Sequence, residues 1–343
     1  MKISPGKLWG LRRLADPAGH WKMVAIDQRT PIFGPIAEKR GVPDAPRQDV
    51  VAVKQLLARH LAPRSSAILM DPNWAYPLCI DEVPPGVGLI LSYEHHVTEN
   101  SEGGRKTVPI PGWSVAKTRR IGADAVKVLA WYRADAAPEV RAHQEAFVEA
   151  AGRACREHDI VMLLEVLIYP LPGEEAGRVE TRREKLVLDS IRPFCDPRFG
   201  VDIFKLEPPG AVHRVPDPDG PDASSLQSAY DRMAALLPRP WVMLSAGASA
   251  ADFERSLHYA YRAGASGYLA GRAIWWEAFG HFPDLARMEK ALASDSVAVL
   301  DRLNALTDTM AQPWHRHGGD RARTPEPAAD DPAFPASYGD PSR

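Results

Sequence analysis

The sequence predicts a (β/α)8 TIM barrel, and three observations support this fold class. Eight apolar segments of strand length alternate with segments whose apolar residues recur at helical spacing. This alternation indicates parallel βαβ units, because neighbouring parallel strands need a crossover connection. Eight repeats over about 300 residues suit a closed barrel better than an open doubly wound sheet. The turn after the first strand, Asp27-Gln28-Arg29-Thr30, is not the glycine-rich turn of a dinucleotide-binding fold.

The strands are recognised as short runs rich in Val, Ile, Leu, Met and Ala that end in polar or glycine-rich residues. They are predicted at 22–27, 66–71, 86–94, 124–132, 160–169, 201–207, 241–246 and from 267. Helices are predicted from apolar spacing at 8–14, 50–61, 113–121, 138–158, 223–237, 250–263 and onward to about residue 309. We therefore expect one barrel domain over residues 1–314. The segment 315–343 is rich in proline and has no periodic apolar face, so we expect it to be disordered.

The composition predicts a globular protein of the cytoplasm. Of the 343 residues, 45% are hydrophobic and 25% are charged, and the formal net charge is -2. This balance offers no electrostatic footprint for nucleic acid. There is no apolar run of about 18 residues and no secretory signal at the start, so we expect no membrane partner. The three cysteines have no metal-binding or redox spacing, which favours free thiols.

Charged side chains gather at the predicted C-terminal ends of the strands, where such barrels have their active sites. They are Asp27, Asp71, Glu94, Lys127, Glu165 and Lys205, with Arg29 and Arg272 just beyond. Charges inside apolar strands are costly unless they pair with each other or do chemistry. A ring of purely structural ion pairs is the alternative interpretation.

Lys205 is the main candidate nucleophile, because it lies in an apolar strand that ends at Pro208-Pro209. A lysine there reaches solvent at the strand end, pairs with an acid, or loses its proton. A neutral lysine can form a Schiff base with a ketone. Lys127 would lower the proton affinity of Lys205, and Glu165 could transfer protons. The sequence leaves open whether burial raises the pKa of Glu165 or the lysines lower it.

Two glycine-containing turns are candidates for binding phosphate. They follow the seventh and eighth strands, as Ser245-Ala246-Gly247 and Ala270-Gly271-Arg272. Backbone N–H groups and a helix N-terminus often bind phosphate at this place in TIM barrels. A tight βα turn without a ligand is the alternative.

Eight short motifs, in order along the strands, resemble the tagatose-1,6-bisphosphate aldolase family. They lie at 25–29, 66–72, 91–94, 122–127, 164–167, 198–205, 244–247 and 271–275. The stretch 263–272 resembles the related sulfofructosephosphate aldolases especially well. The resemblance covers about residues 14–314.

The resemblance implies a class I aldolase that needs no metal or cofactor and acts on a small-molecule sugar phosphate. Lys205 would be the Schiff-base lysine and Glu165 the acid/base, with Lys127 and Asp27 as their polar partners. The expected substrate-binding and phosphate-binding residues are Gln28, Arg29, Asp71, Ser245, Gly247, Gly271 and Arg272. The family also implies a homo-oligomer.

The far end of the substrate, which would carry phosphate or sulfonate, is expected near two loops that follow no pattern of the family. These are 93–112 and 170–183, the second with Arg178, Arg182 and Arg183. Two other functions stay open at this point. One is a metal-dependent lyase or isomerase in which Asp27, Asp71, Glu94 and Glu165 hold a cation. The other is a barrel that binds sugar phosphates without turnover.

Overall fold

The predicted TIM barrel is confirmed by a computed structural model, which describes residues 2–318, 326–327, 334 and 338. Eight parallel strands close the barrel, each paired with the next along the chain and the last with the first. They are β1 (Trp21–Ala25), β2 (Ala67–Met70), β3 (Gly88–Ser92), β4 (Ala125–Trp131), β5 (Val161–Leu167), β6 (Ile203–Leu206), β7 (Trp241–Met243) and β8 (Gly267–Ala270).

Helices surround this barrel. They are α1 (Pro5–Arg13), α2 (Thr30–Arg40), α3 (Arg47–Leu61), α4 (Tyr76–Cys79), α5 (Val115–Arg120), α6 (Pro138–Glu157), α7 (Ala176–Thr181), α8 (Arg183–Ile191), α9 (Ala223–Ala234), α10 (Ala250–Arg262), α11 (Arg272–Phe279), α12 (Leu285–Ala291) and α13 (Val297–Met310). The sequence did not predict α2, because Pro31 and Pro35 interrupt its pattern. It also did not predict the hairpin formed by Glu99–Ser101 and Gly104–Lys106.

Several strands end earlier than predicted. Asp27, Asp71 and Glu94 lie just beyond the last strand residue rather than within the strand. The apolar run that predicted the strand continues past the last strand residue at Ile26 and at Tyr93. The charged residues are therefore placed at the mouth of the barrel, as expected.

The strand pleat sets which residues face the barrel interior. Successive side chains of a strand point to opposite sides, so a residue two positions after an interior residue also faces inward. The interior cluster contains Ala25, Ala125, Leu163 and Ile203. Two positions after these residues come Asp27, Lys127, Glu165 and Lys205. The same periodicity that fills the interior with apolar side chains thus brings these charges together above it.

The opposite face of the barrel is covered by α1 and by part of the C-terminal segment. The Asp159 carboxylate accepts hydrogen bonds from the backbone N–H groups of Gly6 and Lys7. The Trp314 ring stacks on Trp21 with 6.0 Å between ring centroids. Most of the segment 315–343, expected to be disordered, lies outside the described residues. No helix in the described part of the chain is long and apolar enough to cross a membrane.

Candidate active site

A cavity of about 300 Å³ opens at the C-terminal mouth of the barrel. Six of the residues predicted from sequence line it, and they are Gln28, Glu165, Lys205, Ser245, Gly271 and Arg272. Larger cavities of about 560 and 690 Å³ lie on the opposite face, next to α1. The mouth cavity is the candidate site because the buried titratable groups converge on it.

Glu165 lies between the two lysines. Glu165 and Lys205 are direct partners in the parallel register of β5 and β6. The Lys205 Nζ atom is 3.1 Å from Glu165 Oε1, and Lys127 Nζ is 2.8 Å from Glu165 Oε2. One carboxylate can therefore exchange protons with an amine on one side while a second ammonium holds it on the other.

Lys127 contacts three carboxylates and lies just outside the cavity lining. Its Nζ atom is 2.7 Å from Glu94 Oε1 and 3.2 Å from Asp27 Oδ2, in addition to the contact with Glu165. Burial acts to lower the pKa of Lys127, but Glu165, Glu94 and Asp27 outweigh it and raise this pKa well above its ordinary value. Lys127 is therefore held as a cation at neutral pH.

The two acids beside the lysines are held ionised. Burial acts to raise the pKa of Glu165, but the charges of Lys127 and Lys205 outweigh it and lower this pKa. The balance that the sequence left open thus favours the lysines. Burial likewise acts to raise the pKa of Asp27, but the charges of Lys127 and Lys205 outweigh it and lower this pKa well below its ordinary value. The Ser92 hydroxyl donates a hydrogen bond to Asp27 Oδ2 over 3.0 Å. Glu165 is therefore available as a base at neutral pH.

The ends of β7 and β8 form the side of the cavity that suits an anion. Arg272 begins α11, and a Cβ atom added at Gly247 would lie only 3.5 Å from its guanidinium. Gly247 has a φ of 85°, which favours glycine. Burial lowers the pKa of Arg272, while Glu165 and Asp27 act to raise it. Ser245 and Gly271 line the same side of the cavity.

The turn after β1 contributes an uncharged polar side chain, Gln28. Gln28 lines the cavity, and its Oε1 atom is buried with no hydrogen-bond partner among the described residues. A Cβ atom at Gly271 would lie 2.7 Å from Gln28 Nε2 and 2.5 Å from the Ala25 carbonyl oxygen. Glycine at position 271 therefore lets the amide come close, and Gln28 Oε1 is an available acceptor for a substrate hydroxyl.

Asp71, expected to bind substrate, does not line the cavity. Its carboxylate is fully buried and pairs with the equally buried Lys54 of α3, with 2.6 Å between Lys54 Nζ and Asp71 Oδ2. Lys54 Nζ also donates to the carbonyl oxygens of Ile26 and Gln28. The structure therefore gives Asp71 and Lys54 a role in holding the turn after β1. A lysine among the apolar positions of α3 was a sequence signal for a buried cation, but it did not identify Asp71 as the partner.

Arg29 is likewise absent from the cavity lining. It is buried, and its guanidinium binds Glu94 rather than facing the cavity. Gly247 does not line the cavity directly but lies against the Arg272 guanidinium.

Glu207 lines the cavity but was not singled out from the sequence. Its Oε1 atom accepts a hydrogen bond from the Ile168 N–H over 2.6 Å, and its Oε2 atom pairs with Arg183. Burial raises the pKa of Glu207. Arg183 is the one of the three loop arginines that reaches the cavity wall, and its Nε atom also donates to the Pro208 carbonyl oxygen. Glu207 lies two residues after Lys205, a spacing that could have pointed to it.

The acids expected for a metal-dependent enzyme are held by lysines. Asp27, Glu94 and Glu165 all contact Lys127, and Asp71 contacts Lys54. Ammonium groups therefore stand where a divalent cation would have to bind. Among the described residues, three side chains elsewhere have metal-ligand spacing, Asp16, His20 and Asp308. Lys22 already bridges those two aspartates.

Comparisons with known proteins identify relatives of this chain. A family model described as DeoC/LacD family aldolase matches residues 22–277. The tagatose 1,6-diphosphate aldolase of Listeria monocytogenes serotype 4a (strain HCC23) is 32% identical over 327 residues, covering 92% of this chain and 95% of that protein. Tagatose 1,6-diphosphate aldolase 1 of Streptococcus mutans is 30% identical, covering 92% and 99%.

Solved aldolase structures share the fold. The fructose-bisphosphate aldolase of Plasmodium falciparum superposes with a TM-score of 0.62 at 14% identity, covering 91% of this chain and 98% of that one. A Schiff-base-forming fructose-1,6-bisphosphate aldolase gives a TM-score of 0.54 at 15% identity, covering 84% and 99%. At such identities the likeness concerns the fold alone. The family model and the curated relatives go further, and they show that this chain belongs to the DeoC/LacD family of aldolases.

Proposed function

We propose that this protein is a class I aldolase that reversibly cleaves a ketohexose phosphate to dihydroxyacetone phosphate and a three-carbon aldehyde. The observation that carries the proposal is the placement of Glu165 between Lys205 and Lys127, with Lys205 lining the mouth cavity. The names of the curated relatives support the same chemistry.

In the proposed reaction the Lys205 amine attacks the C2 carbonyl of the ketose, and loss of water gives an iminium. Glu165 takes the proton of the C4 hydroxyl as the C3–C4 bond breaks. The electron pair of that bond moves toward the iminium nitrogen and forms an enamine, and the aldehyde leaves. Protonation of the enamine at C3, followed by addition of water to the iminium, releases dihydroxyacetone phosphate and restores the amine.

The substrate would lie with its C1 phosphate toward β7 and β8. Arg272 would supply a half-buried guanidinium there, with Ser245 and Gly271 lining the same side and Gly247 against the guanidinium. Gln28, which lines the cavity, would hold a substrate hydroxyl group, and Asp27, which lies just outside the lining, would have the hydroxyl-holding role that the family resemblance implies. Lys127 would keep the acids in place. The far end would be that of tagatose or fructose 1,6-bisphosphate, or the sulfonate of 6-sulfofructose 1-phosphate. We further propose a homo-oligomer, as the family resemblance implies, and a location in the cytoplasm, as the composition and the three widely spaced cysteines suggest.

A turnover panel tests this function. Tagatose and fructose bisphosphates, ketose 1-phosphates and the sulfonated ketose phosphate are each incubated with the wild-type enzyme and with Lys205→Ala. Release of dihydroxyacetone phosphate by the wild type, and none by Lys205→Ala, is expected. Binding without turnover across the panel would indicate a sensing barrel instead. Activity abolished by a chelator and restored by metal would indicate a metal-dependent lyase.

A further inference from the structure

Arg29 and Glu94 form a buried pair beside the reactive cluster. Glu94 is 1% exposed and Arg29 is 5% exposed. Arg29 Nη2 donates to Glu94 Oε1 over 3.2 Å, and Arg29 Nη1 donates to the Glu94 carbonyl oxygen over 2.9 Å. The guanidinium thus fixes both the side chain and the backbone of Glu94.

Glu94 in turn holds Lys127. Its Oε1 atom lies 2.7 Å from Lys127 Nζ, the shortest of the three carboxylate contacts of this lysine. Its Oε2 atom accepts a hydrogen bond from the Leu129 N–H over 3.1 Å. Neither Glu94 nor Arg29 lines the mouth cavity, so in this geometry they do not touch a substrate there.

The three carboxylates around Lys127 have different surroundings. Glu165 lines the cavity, whereas Asp27 and Glu94 lie outside its lining. In the proposed reaction Glu165 accepts a proton, so its attraction for Lys127 weakens during turnover. Glu94 takes no part in this transfer, and its partners are all protein groups. Because leaving a buried cation unpaired is costly, a partner outside the reaction keeps Lys127 in place.

We propose that Glu94, clamped by Arg29, is a positioning residue that holds Lys127 Nζ against Asp27 and Glu165 throughout the aldol reaction. This inference rests on the proposed function. It also replaces the expected role of Arg29 as a substrate ligand.

The two members of the pair carry opposite charges, so removing each should displace the proton equilibrium of the cluster in opposite directions. The charged groups that face Lys127 and its neighbours are Asp27, Arg29, Lys54, Glu94, Glu165, Lys205, Glu207 and Arg272. Removing a negative charge lowers the pKa of the nearby titratable groups, and removing a positive charge raises it. The acidic limb of the pH profile of kcat/KM should therefore move down in Glu94→Gln and up in Arg29→Gln.

The experiment records kcat and KM for ketose phosphate cleavage between about pH 5 and 10 for both variants. We expect opposite displacements of at least about 0.3 pH unit, and a kcat for Glu94→Gln reduced at least about tenfold with KM changed less than about threefold. Glu94→Asp, which restores the charge, should recover part of kcat. Asp49→Asn is the matched control, because Asp49 is also a buried carboxylate bound by an arginine, Arg40, but lies outside the cavity lining and outside both loops expected near the substrate. Its profile should match the wild type.

Two results would overturn the inference. One is a displacement in the same direction, or none, in Glu94→Gln and Arg29→Gln. The other is a KM raised about tenfold with unchanged kcat in Arg29→Gln, which would make Arg29 a substrate ligand. If Glu94→Gln does not fold, Arg29→Gln is tested alone. An upward shift of the acidic limb of its kcat/KM profile supports the inference, and no shift or a downward shift overturns it. Absence of turnover in the wild type with every ketose phosphate would refute the proposed function rather than this inference.

Discussion

Lys205 Nζ lies 3.1 Å from Glu165 Oε1, and the two residues are direct partners on the adjacent parallel strands β6 and β5. Backbone hydrogen bonds of the barrel therefore fix the distance between the proposed nucleophile and the proposed base. Because Glu165 is also bound by Lys127 on its other oxygen, its position does not depend on a substrate. Preorganisation of this kind is what a site for proton transfer requires.

Glu165→Gln should separate cleavage from Schiff-base formation. Loss of the carboxylate removes the base for the C4 hydroxyl, so kcat is expected to fall about 10²- to 10⁴-fold. Borohydride with dihydroxyacetone phosphate should still modify Lys205, since that step needs the amine. Glu145→Gln is a suitable control, because Glu145 binds Tyr132 and Arg198 away from the cavity. A kcat of Glu165→Gln within about threefold of the wild type would show that Glu165 is not the base.

Arg272→Gln should weaken binding of the phosphate end. A lost charge-assisted hydrogen bond costs about 1.5–3 kcal/mol, so KM for a ketose 1-phosphate is expected to rise about 10- to 100-fold. The unphosphorylated ketose should be turned over equally slowly by the wild type and the variant. Arg262→Gln, which removes a guanidinium bound to Asp219 far from the cavity lining, is the control. An unchanged KM in Arg272→Gln would place the phosphate elsewhere.

Asp71→Asn should lower stability rather than substrate affinity. It leaves the ammonium of Lys54, which is fully buried, without its carboxylate, and such a change costs about 3–5 kcal/mol. Urea unfolding measures the loss, and the folded enzyme should keep its KM within about threefold. The double variant Lys54→Met with Asp71→Leu should recover part of the stability. Wild-type stability combined with a raised KM would restore Asp71 as a substrate ligand.

Asp159→Asn should change how stability depends on pH. Burial acts to raise the pKa of Asp159, but hydrogen bonds from Ser4, Tyr338, Gly6 and Lys7 outweigh it and lower this pKa. A carboxyl with a lowered pKa in the folded state stabilises it above the unfolded pKa of about 3.9, and this contribution disappears as pH falls through the folded pKa.

The wild type should therefore be more stable than Asp159→Asn by about 1 kcal/mol near neutral pH, with the difference shrinking below about pH 4. Asparagine accepts the positive φ of 46° at this position, so backbone strain does not confuse the comparison. Urea titrations at several pH values provide the measurement. A difference that stays constant across this range would show that the carboxylate charge does not support the start of α1.

Sequence periodicity was enough to predict the strands and the central cluster. Asp27, Lys127, Glu165 and Lys205 each follow an apolar interior residue by two positions, and this spacing is a local property that the sequence displays directly. The strand order followed from the short βα repeats. The eight strands and their closure were therefore predictable, apart from their ends.

Partners that come from distant parts of the chain were not predictable. Arg29 and Asp71 were expected to bind substrate from the family resemblance. Arg29 instead binds Glu94, 65 residues away, and Asp71 binds Lys54 from a helix. The pairing of buried charges is decided by tertiary packing, and nothing in a local pattern says which of several nearby acids a given base will reach.

The site of covalent trapping identifies the nucleophile. The wild-type enzyme is treated with borohydride in the presence of dihydroxyacetone phosphate, and mass spectrometry of its peptides locates the modified residue. We expect one reduced adduct, on Lys205, that is absent from Lys205→Ala and retained in Glu165→Gln. An adduct on Lys127 in place of Lys205, or one that persists in Lys205→Ala, would contradict the assignment of the nucleophile.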